Sequence, residues 1–191
     1  MNNSELETLI RNILREQLVP ATPRTLRNAI FQTVDEAVCA AHQAFLRFQQ
    51  CPLKTRSAII SAIREELMPR LTELAEESAK ETGMGNKEDK YLKNKAALDN
   101  TPGVEDLTTT ALTGDGGMVL FEYSPFGVIG SVTPSTNPTE TIINNSISML
   151  AAGNSVYFSP HPGAKYVSLK LITTIEDIAF RRWGYPSVYR R

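Results

Sequence analysis

The polar side chains best suited to chemistry lie in two short segments, each of which follows an apolar, strand-like run. The first segment, 133–138, reads Thr-Pro-Ser-Thr-Asn-Pro, and the second, 159–163, reads Ser-Pro-His-Pro-Gly. A helical pattern begins directly after each segment, so backbone N–H groups and the helix dipole there suit an anion or a developing oxyanion. Within the first segment, Asn137 can donate an amide hydrogen bond to such a group.

The same residues allow plainer interpretations. Ser135, Thr136 and Asn137 can simply cap the helix that follows, which is a common use of these residue types. His161 can equally be an ordinary loop histidine. The glycines of 114–117 precede a strand, so the GxGxxG fingerprint of dinucleotide-binding helices is absent. The residues alone therefore indicate an α/β protein with a candidate nucleotide crevice.

Composition narrows the function classes. The chain has 191 residues, 41% of them hydrophobic, and a net charge of −1, which permits a packed core but lacks the basic excess of nucleic-acid binders. Two cysteines and two histidines without a CxxC motif predict no zinc site and no disulfide framework. No apolar run approaches the roughly 18–20 residues that a membrane span needs, and no signal sequence is evident, so we expect a cytoplasmic protein.

Hydrophobic periodicity predicts the elements that must position these segments. Helices are expected over 33–50, over 53–82 with a kink at Pro69 and an end at Gly83, and from 86–90 to before Pro102. Further along the chain, the pattern predicts strands 118–123, 127–132 and 155–158, a helix over 139–152, and another helix from Ala164. This order is typical of a parallel α/β unit, in which ligands bind beyond the carboxyl ends of the strands.

Several side chains in the predicted helices are interpreted as purely structural. The apolar pattern of the first helix runs through Val34, Ala37, Val38, Ala41, Phe45 and Phe48, and that of the fourth through Ile142, Ile143, Ile147 and Leu150. Glu76, Glu77 and Glu81 are expected to form a solvated face. Cys39 and Cys51 are expected to be inert core thiols.

The first eighteen residues have an amphipathic pattern of their own. Leu6, Leu9, Ile10, Ile13 and Leu14 recur at helical spacing, and a proline-containing linker, 19–27, follows. Such a helix can fold back onto the main body of the protein, or it can dock into a groove on another protein.

Three stretches resemble the aldehyde dehydrogenase superfamily, and most of all its CoA-acylating branch. They are FEYSPFGVIGSVTPSTNPTE (121–140), AAGNSVYFSPHPGAK (151–165) and ETGMGNKEDKYLKN (81–94), and the resemblance runs from about residue 28 to about 180. It implies an incomplete Rossmann-type NAD-binding domain with N-terminal helices, NAD as cofactor and CoA as co-substrate.

The resemblance also assigns roles to residues of the two turns. It implies cofactor binding by Thr133, Pro134, Ser135, Ser159, Pro160 and His161. The oxyanion-stabilising amide of the family falls on Asn137, with Thr136 as the alternative if the flanking prolines are aligned instead.

Residues 1–18 resemble the encapsulation peptide of enzymes housed in bacterial microcompartments. This implies a shell protein as partner and the microcompartment lumen as location, while the family resemblance implies a homo-oligomeric complete enzyme. The implied substrate is propionaldehyde, as in 1,2-propanediol degradation. Acetaldehyde, as in ethanolamine utilisation, and a non-catalytic docking fragment are the alternatives.

The family places its nucleophilic cysteine in a region that would follow residue 191, and neither Cys39 nor Cys51 matches it. We therefore expect the chain to be inactive alone and to be marginally stable or aggregating. The segment 181–191, RRWGYPSVYRR, is atypical of the family, and a frameshift or premature stop after about Phe180 is the hypothesis for it.

Overall fold

The computed structural model describes residues 30–183, which form six α-helices and four strands. The helices are α1 Val34–Phe48, α2 Leu53–Leu67, α3 Leu71–Thr82, α4 Lys87–Asn100, α5 Pro138–Ala151 and α6 Lys165–Trp183. The strands are β1 Thr110–Gly114, β2 Gly117–Phe121, β3 Val128–Thr133 and β4 Ser155–Pro160. The predicted helix 4–18 and linker 19–27 lie outside the described residues.

Local sequence signals place the helix ends where they were expected. Thr33 and Glu36 form a reciprocal capping box at the start of α1. The helix predicted over 53–82 is interrupted by a 3-10 turn, Met68–Arg70, because Pro69 cannot supply the internal backbone donor. Gly83 ends α3 with a left-handed φ of 64°.

The buried stripe of α1 differs from the apolar pattern of its sequence. Val34 and Val38 are exposed, whereas the buried positions are Ala37, Ala41, Ala44 and Phe48. These buried positions follow one another at steps of three and four residues, and α1 packs against β3 and β4. Small side chains on that stripe allow a close approach of the helix, so packing rather than hydrophobicity selects the buried face.

The sequence patterns do not predict strand β1. β1 pairs antiparallel with β2, in register from Thr110↔Phe121 to Gly114↔Gly117, so the glycine segment forms a hairpin turn instead of only preceding a strand. Every residue of both strands is exposed. Because neither face of the hairpin packs against residues 30–183, β1 lacks the alternating pattern that would reveal it.

β3 and β4 form a parallel pair joined by α5, as the strand–helix–strand pattern predicts. Ile142, Ile143, Ile147 and Leu150 of α5 are all buried in the main core, and this prediction is confirmed. Val156 and Phe158 alternate along β4 and join the same core. The carboxyl ends of both strands therefore rest on a packed helical layer.

Gly153 connects α5 to β4 in a conformation that other residues rarely adopt. Its φ is +82°, and an added Cβ would lie 2.6 Å from Nη1 of Arg56. Arg56 itself donates hydrogen bonds to the carbonyls of Cys51 and Ala151, at 3.0 and 3.3 Å. The guanidinium therefore ties the end of α5 to the α1–α2 connection and leaves no room for a side chain at residue 153.

We expect Gly153→Ala to lower the free energy of unfolding by more than the roughly 1–3 kcal/mol of backbone strain, because Arg56 must also move. Gly83→Ala is the matched control, since Gly83 has a φ of +64° but no atom within 4 Å of the added Cβ. Urea denaturation of both variants measures the difference. Equal losses in the two variants would show that Arg56 adjusts without cost.

The first residues of the segment 181–191 belong to the folded body. α6 continues through Trp183, whose ring meets that of Phe48 edge-on at a centroid distance of 5.0 Å. Arg181 pairs with Glu66 at 2.6 Å. The hypothesis of a frameshift after about Phe180 stays a prediction, and residues 184–191 are outside the described part.

Two further expectations can be compared with the structure. Cys51 is buried, whereas Cys39 is exposed on α1, so the expectation of two core thiols is wrong for Cys39. Burial raises the pKa of the Cys51 thiol, and the nearby Arg56 charge partly opposes this. Among residues 30–183, no helix combines the length and apolarity needed to cross a membrane.

Candidate cofactor and oxyanion site

The two polar turns meet at the carboxyl edge of the β3–β4 pair. The parallel register places Thr133 opposite Pro160, and the His161 N–H donates to the Thr133 carbonyl at 3.0 Å. A Cβ added to Gly163 would lie 4.0 Å from the Cβ of Ser135, so the turns remain adjacent beyond the strands. The structure thus brings together the two segments that were predicted separately.

Asn137 occupies the N-cap position of α5, yet its side chain makes no capping hydrogen bond. Its Oδ1 instead accepts a hydrogen bond from Nζ of Lys93 at 3.1 Å. Pro138 fills the first helical position, where its missing N–H costs nothing. The interpretation of this asparagine as a simple helix cap is therefore wrong.

The remaining residues of the first turn differ in accessibility. Thr133 is buried as the last residue of β3, Ser135 is half-buried, and Pro134 and Thr136 are exposed. Thr136 uses its main-chain carbonyl, which accepts from Nζ of Lys90 at 3.1 Å. The turn is consequently held from one side by α4 and is open on the other.

The second turn presents His161 to solvent with a defined ring orientation. Nδ1 of His161 accepts the Gly163 N–H at 3.0 Å, so this nitrogen carries no hydrogen and Nε2 is left as the ring donor. Ser159 and Pro160 are half-buried and still belong to β4, which extends two residues beyond the predicted strand end. A hydroxyl and an imidazole N–H are therefore available beside the first turn.

Sequence reasoning missed two lysines of this site. Lys90 and Lys93 lie in the helix predicted from 86–90, and both reach the first turn from α4. Burial lowers the pKa of Lys90, and the Glu140 carboxylate partly opposes that shift. One signal was present in the sequence, because Lys90, Asn94 and Leu98 are spaced by four residues and form the buried stripe of α4.

The acidic face of α3 is also more than a solvated surface. The carboxylate oxygens of Glu81 accept the main-chain N–H groups of Tyr166 and Val167 at 2.8 and 2.7 Å. Glu81 therefore caps α6 from another element, and the expectation of a merely solvated side chain is wrong for it. Glu77 pairs with Lys170 at 2.5 Å and reinforces the same contact between α3 and α6.

The arrangement suits a ligand that combines an anion with flat rings. The start of α5 carries no side-chain cap, which leaves its first-turn N–H groups available to an anionic group, while Glu140 places a carboxylate in the same turn. Val132, next to the first turn, is 81% exposed and offers apolar surface for a ring. Among residues 30–183, no three His, Cys, Asp or Glu side chains come together as metal ligands would.

Comparisons with known proteins agree with this geometry. The sequence profile of the aldehyde dehydrogenase family matches residues 21–186. A CoA-propanoylating propanal dehydrogenase of Citrobacter freundii is 83% identical over 184 residues, which cover 96% of this chain and 40% of the relative. An acetylating acetaldehyde dehydrogenase of Escherichia coli is 45% identical over 179 residues, covering 93% of this chain and 38% of the relative.

Solved structures show the same fold. The propionaldehyde dehydrogenase of Rhodopseudomonas palustris with bound propionyl-CoA superposes with a TM-score of 0.82 at 48% identity, covering 85% of this chain and 36% of that one. An engineered glycolyl-CoA reductase with bound NADP+ superposes with a TM-score of 0.82 at 47% identity, covering 85% of this chain and 37% of that one. A propionaldehyde dehydrogenase from the fucose utilisation microcompartment of Clostridium phytofermentans superposes with a TM-score of 0.81 at 42% identity, covering 85% of this chain and 37% of that one.

The chain spans about 40% of the length of the curated propanal dehydrogenases that it matches. Within that span, the parallel β3–β4 pair and its two turns correspond to a partial Rossmann-like domain, as the structural neighbours indicate. The family profile covers well over half of the chain, from residue 21 to residue 186. The chain therefore belongs to the aldehyde dehydrogenase family.

Proposed function

We propose that this chain forms the N-terminal part of the NAD-binding domain of a CoA-acylating aldehyde dehydrogenase. The reaction is the conversion of propionaldehyde, CoA and NAD+ to propionyl-CoA and NADH. One observation carries the proposal: the turns with Asn137 and His161 meet at one sheet edge in a chain 83% identical to a CoA-propanoylating enzyme. The nucleophilic cysteine is supplied from outside these 191 residues, so we expect no turnover by this chain alone.

The two turns would supply different contacts to the cofactor. Ser159, Pro160 and His161 form the cofactor side, where the hydroxyl and the Nε2 donor can bind ribose or phosphate oxygens. Thr133, Pro134 and Ser135 would line the same crevice at the end of β3. When bound, NAD+ supplies the acceptor for the hydride that leaves the substrate carbon.

Asn137 would stabilise the negative charge that develops on the aldehyde oxygen when the carbonyl is attacked. Its Oδ1 is already engaged by Lys93, so Nδ2 is the end of the amide that can donate to the substrate. Thr136 is the weaker alternative, because its hydroxyl donates only one hydrogen.

Propionaldehyde is favoured over acetaldehyde by the comparisons. Identity is 83% to the propanal dehydrogenase of Citrobacter freundii but 45% to the acetaldehyde dehydrogenase of Escherichia coli, over nearly the same share of this chain. CoA is the co-substrate by the same reasoning, and the structural neighbour from Rhodopseudomonas palustris is recorded with propionyl-CoA.

The proposed setting is the lumen of a bacterial microcompartment. A similar propionaldehyde dehydrogenase comes from a fucose utilisation microcompartment. The apolar residues Leu6, Leu9, Ile10, Ile13 and Leu14 would dock onto a shell protein. Homo-oligomerisation of the complete enzyme is supported by the β1–β2 hairpin, whose Leu112, Met118 and Phe121 are each more than half exposed.

Titration of NAD+ into the 191-residue chain tests the cofactor assignment. We expect a saturable rise in the thermal midpoint that corresponds to about 1–3 kcal/mol at high ligand excess. His161→Ala removes one donor and should weaken binding about 3- to 10-fold, as expected for one hydrogen bond. His42→Ala is the matched control, because His42 is exposed on α1 and belongs to neither turn.

A cooperative melt that NAD+ does not shift would contradict the cofactor assignment and favour the non-catalytic docking alternative.

Catalysis itself is tested by mixing the chain with the part of the Citrobacter freundii relative that it does not cover, expressed as a separate polypeptide. NADH formation at 340 nm should require both polypeptides, CoA and an aldehyde. NADH formation by the 191-residue chain without the second polypeptide would overturn the assignment of the nucleophilic cysteine to a region outside this chain.

A further inference from the structure

We propose that Lys93 and Lys90 are positioning residues that turn the hydrogen-bond donors of Asn137 towards the substrate oxygen. The inference rests on the proposed function, because it assigns Asn137 the role of oxyanion donor. Lys93 binds the side chain of Asn137, and Lys90 binds the carbonyl of the preceding Thr136. Both lysines come from α4, so one helix would set both parts of the same donor residue.

The Lys93 contact decides which end of the Asn137 amide faces the site. An ammonium group can only donate hydrogen bonds, so the atom 3.1 Å from Nζ of Lys93 must be the amide oxygen. Nδ2 then lies on the other arm of the planar amide. No residue of the described part of the chain accepts a hydrogen bond from it. Without Lys93, the amide could rotate and present its oxygen, which would repel a developing oxyanion.

The contact between Lys90 and the Thr136 carbonyl orients the main-chain N–H of Asn137, as the Lys93 contact orients its side chain. Nζ of Lys90 lies 3.1 Å from the Thr136 carbonyl oxygen, and this oxygen therefore faces α4. The structure contains no cis peptide bond within residues 30–183, so the N–H of Asn137 points away from the side on which that carbonyl lies. Within the same range, this N–H has no acceptor. Asn137 thus carries two donors that the fold leaves available.

The cost of this arrangement argues against a purely structural role. An asparagine at a helix N-cap normally accepts a backbone N–H of the first turn, but here Oδ1 is engaged by Lys93 and no cap forms. Lys90 is only 3% exposed, and burial of an ammonium is unfavourable unless its partners compensate. At this turn the fold therefore forgoes a helix cap and buries an ammonium group.

The side-chain amide signals of Asn137 in the 15N-labelled chain give the first test. We expect Lys93→Met to shift both amide hydrogens of Asn137, and Lys93→Arg, which retains a donor, to restore most of the original shift. Lys87→Met is the control, because Lys87 lies on the same helix but pairs with Glu76 at 3.4 Å. Unchanged Asn137 signals in Lys93→Met would overturn the proposal for Lys93.

Lys90 is buried, so its substitution can unfold the chain, and the unsubstituted protein supplies the readout instead. The main-chain N–H of Asn137 should exchange with solvent rapidly, because it has no acceptor, in contrast to the N–H of Thr141, which donates to the Asn137 carbonyl at 3.3 Å. Protection of the Asn137 N–H as strong as that of Thr141 would overturn the proposal for Lys90.

The two-polypeptide assay adds a kinetic readout that a structural role would not move. Lys93→Met should lower kcat about 10- to 100-fold, leave the NAD+ affinity of the chain unchanged and be largely rescued by Lys93→Arg. An equal loss in Lys87→Met would contradict this. The amide measurement needs neither NAD+ nor turnover, so a failure of the proposed function and a failure of this inference give different results.

Discussion

Asn137→Ala should lower the rate of aldehyde-dependent NADH formation about 100- to 1000-fold in the two-polypeptide assay, the usual effect of removing one oxyanion donor. The physical reason is that Nδ2 donates to negative charge that exists only as the carbonyl is attacked. The free aldehyde carries little of that charge, so KM should change much less than kcat. Steady-state rates at varied propionaldehyde separate the two parameters.

Two control variants make this prediction specific to the Asn137 amide. Thr136→Val removes the competing hydroxyl and should cost less than about 5-fold, well below the loss of a single oxyanion donor. Asn137→Asp keeps the size of the side chain and the acceptor for Lys93 but replaces the donor with a carboxylate, so it should be as inactive as Asn137→Ala. If Thr136→Val lost more activity than Asn137→Ala, Thr136 would be the oxyanion residue.

Phe158→Ala should lower the free energy of unfolding by about 3–5 kcal/mol, the range measured for truncating a buried phenylalanine. Phe158 lies in the middle of β4, is fully buried and belongs to the main core with residues of α5 and α6. The truncation leaves a cavity directly beneath the strand that carries Ser159 and Pro160. The second turn should therefore lose its support, and NAD+ binding should weaken together with stability.

Phe126→Ala is the matched control, because the same atoms are removed from a side chain that is 96% exposed. Its effect on stability should stay within about 0.5 kcal/mol, as is usual for surface positions. Thermal melts of the two variants with and without NAD+ make the comparison. Similar losses of stability in both variants would mean that burial of the Phe158 ring does not stabilise the core around β4.

Local sequence signals were sufficient for most of the elements around the site. Pro138 begins α5, the apolar residues from Ile142 to Leu150 face the core, and Gly153, with its φ of +82°, follows the helix end. Each signal acts within one or two helical turns, so no other part of the chain is needed to interpret it. The same is true of the break at Pro69.

The features that the sequence did not predict depend on contacts between elements and not on local signals. β1 is recognisable only through its partner β2, because neither face of the hairpin is buried by the described residues. The exposure of Val34 and Val38 follows from the way α1 lies on the β3–β4 pair. In both cases the deciding neighbour comes from another element.

Local patterns and the family resemblance were enough to predict the order of every element except β1, together with the two turns that carry candidate cofactor residues. The surroundings of Asn137 depend on the packing of distant elements, since Lys90 and Lys93 lie 46 and 44 residues before their partners. Likewise, Glu81 caps a helix that begins more than 80 residues later. Periodicity and turn chemistry report only nearby residues, whereas these contacts depend on how α3 and α4 pack against α5 and α6.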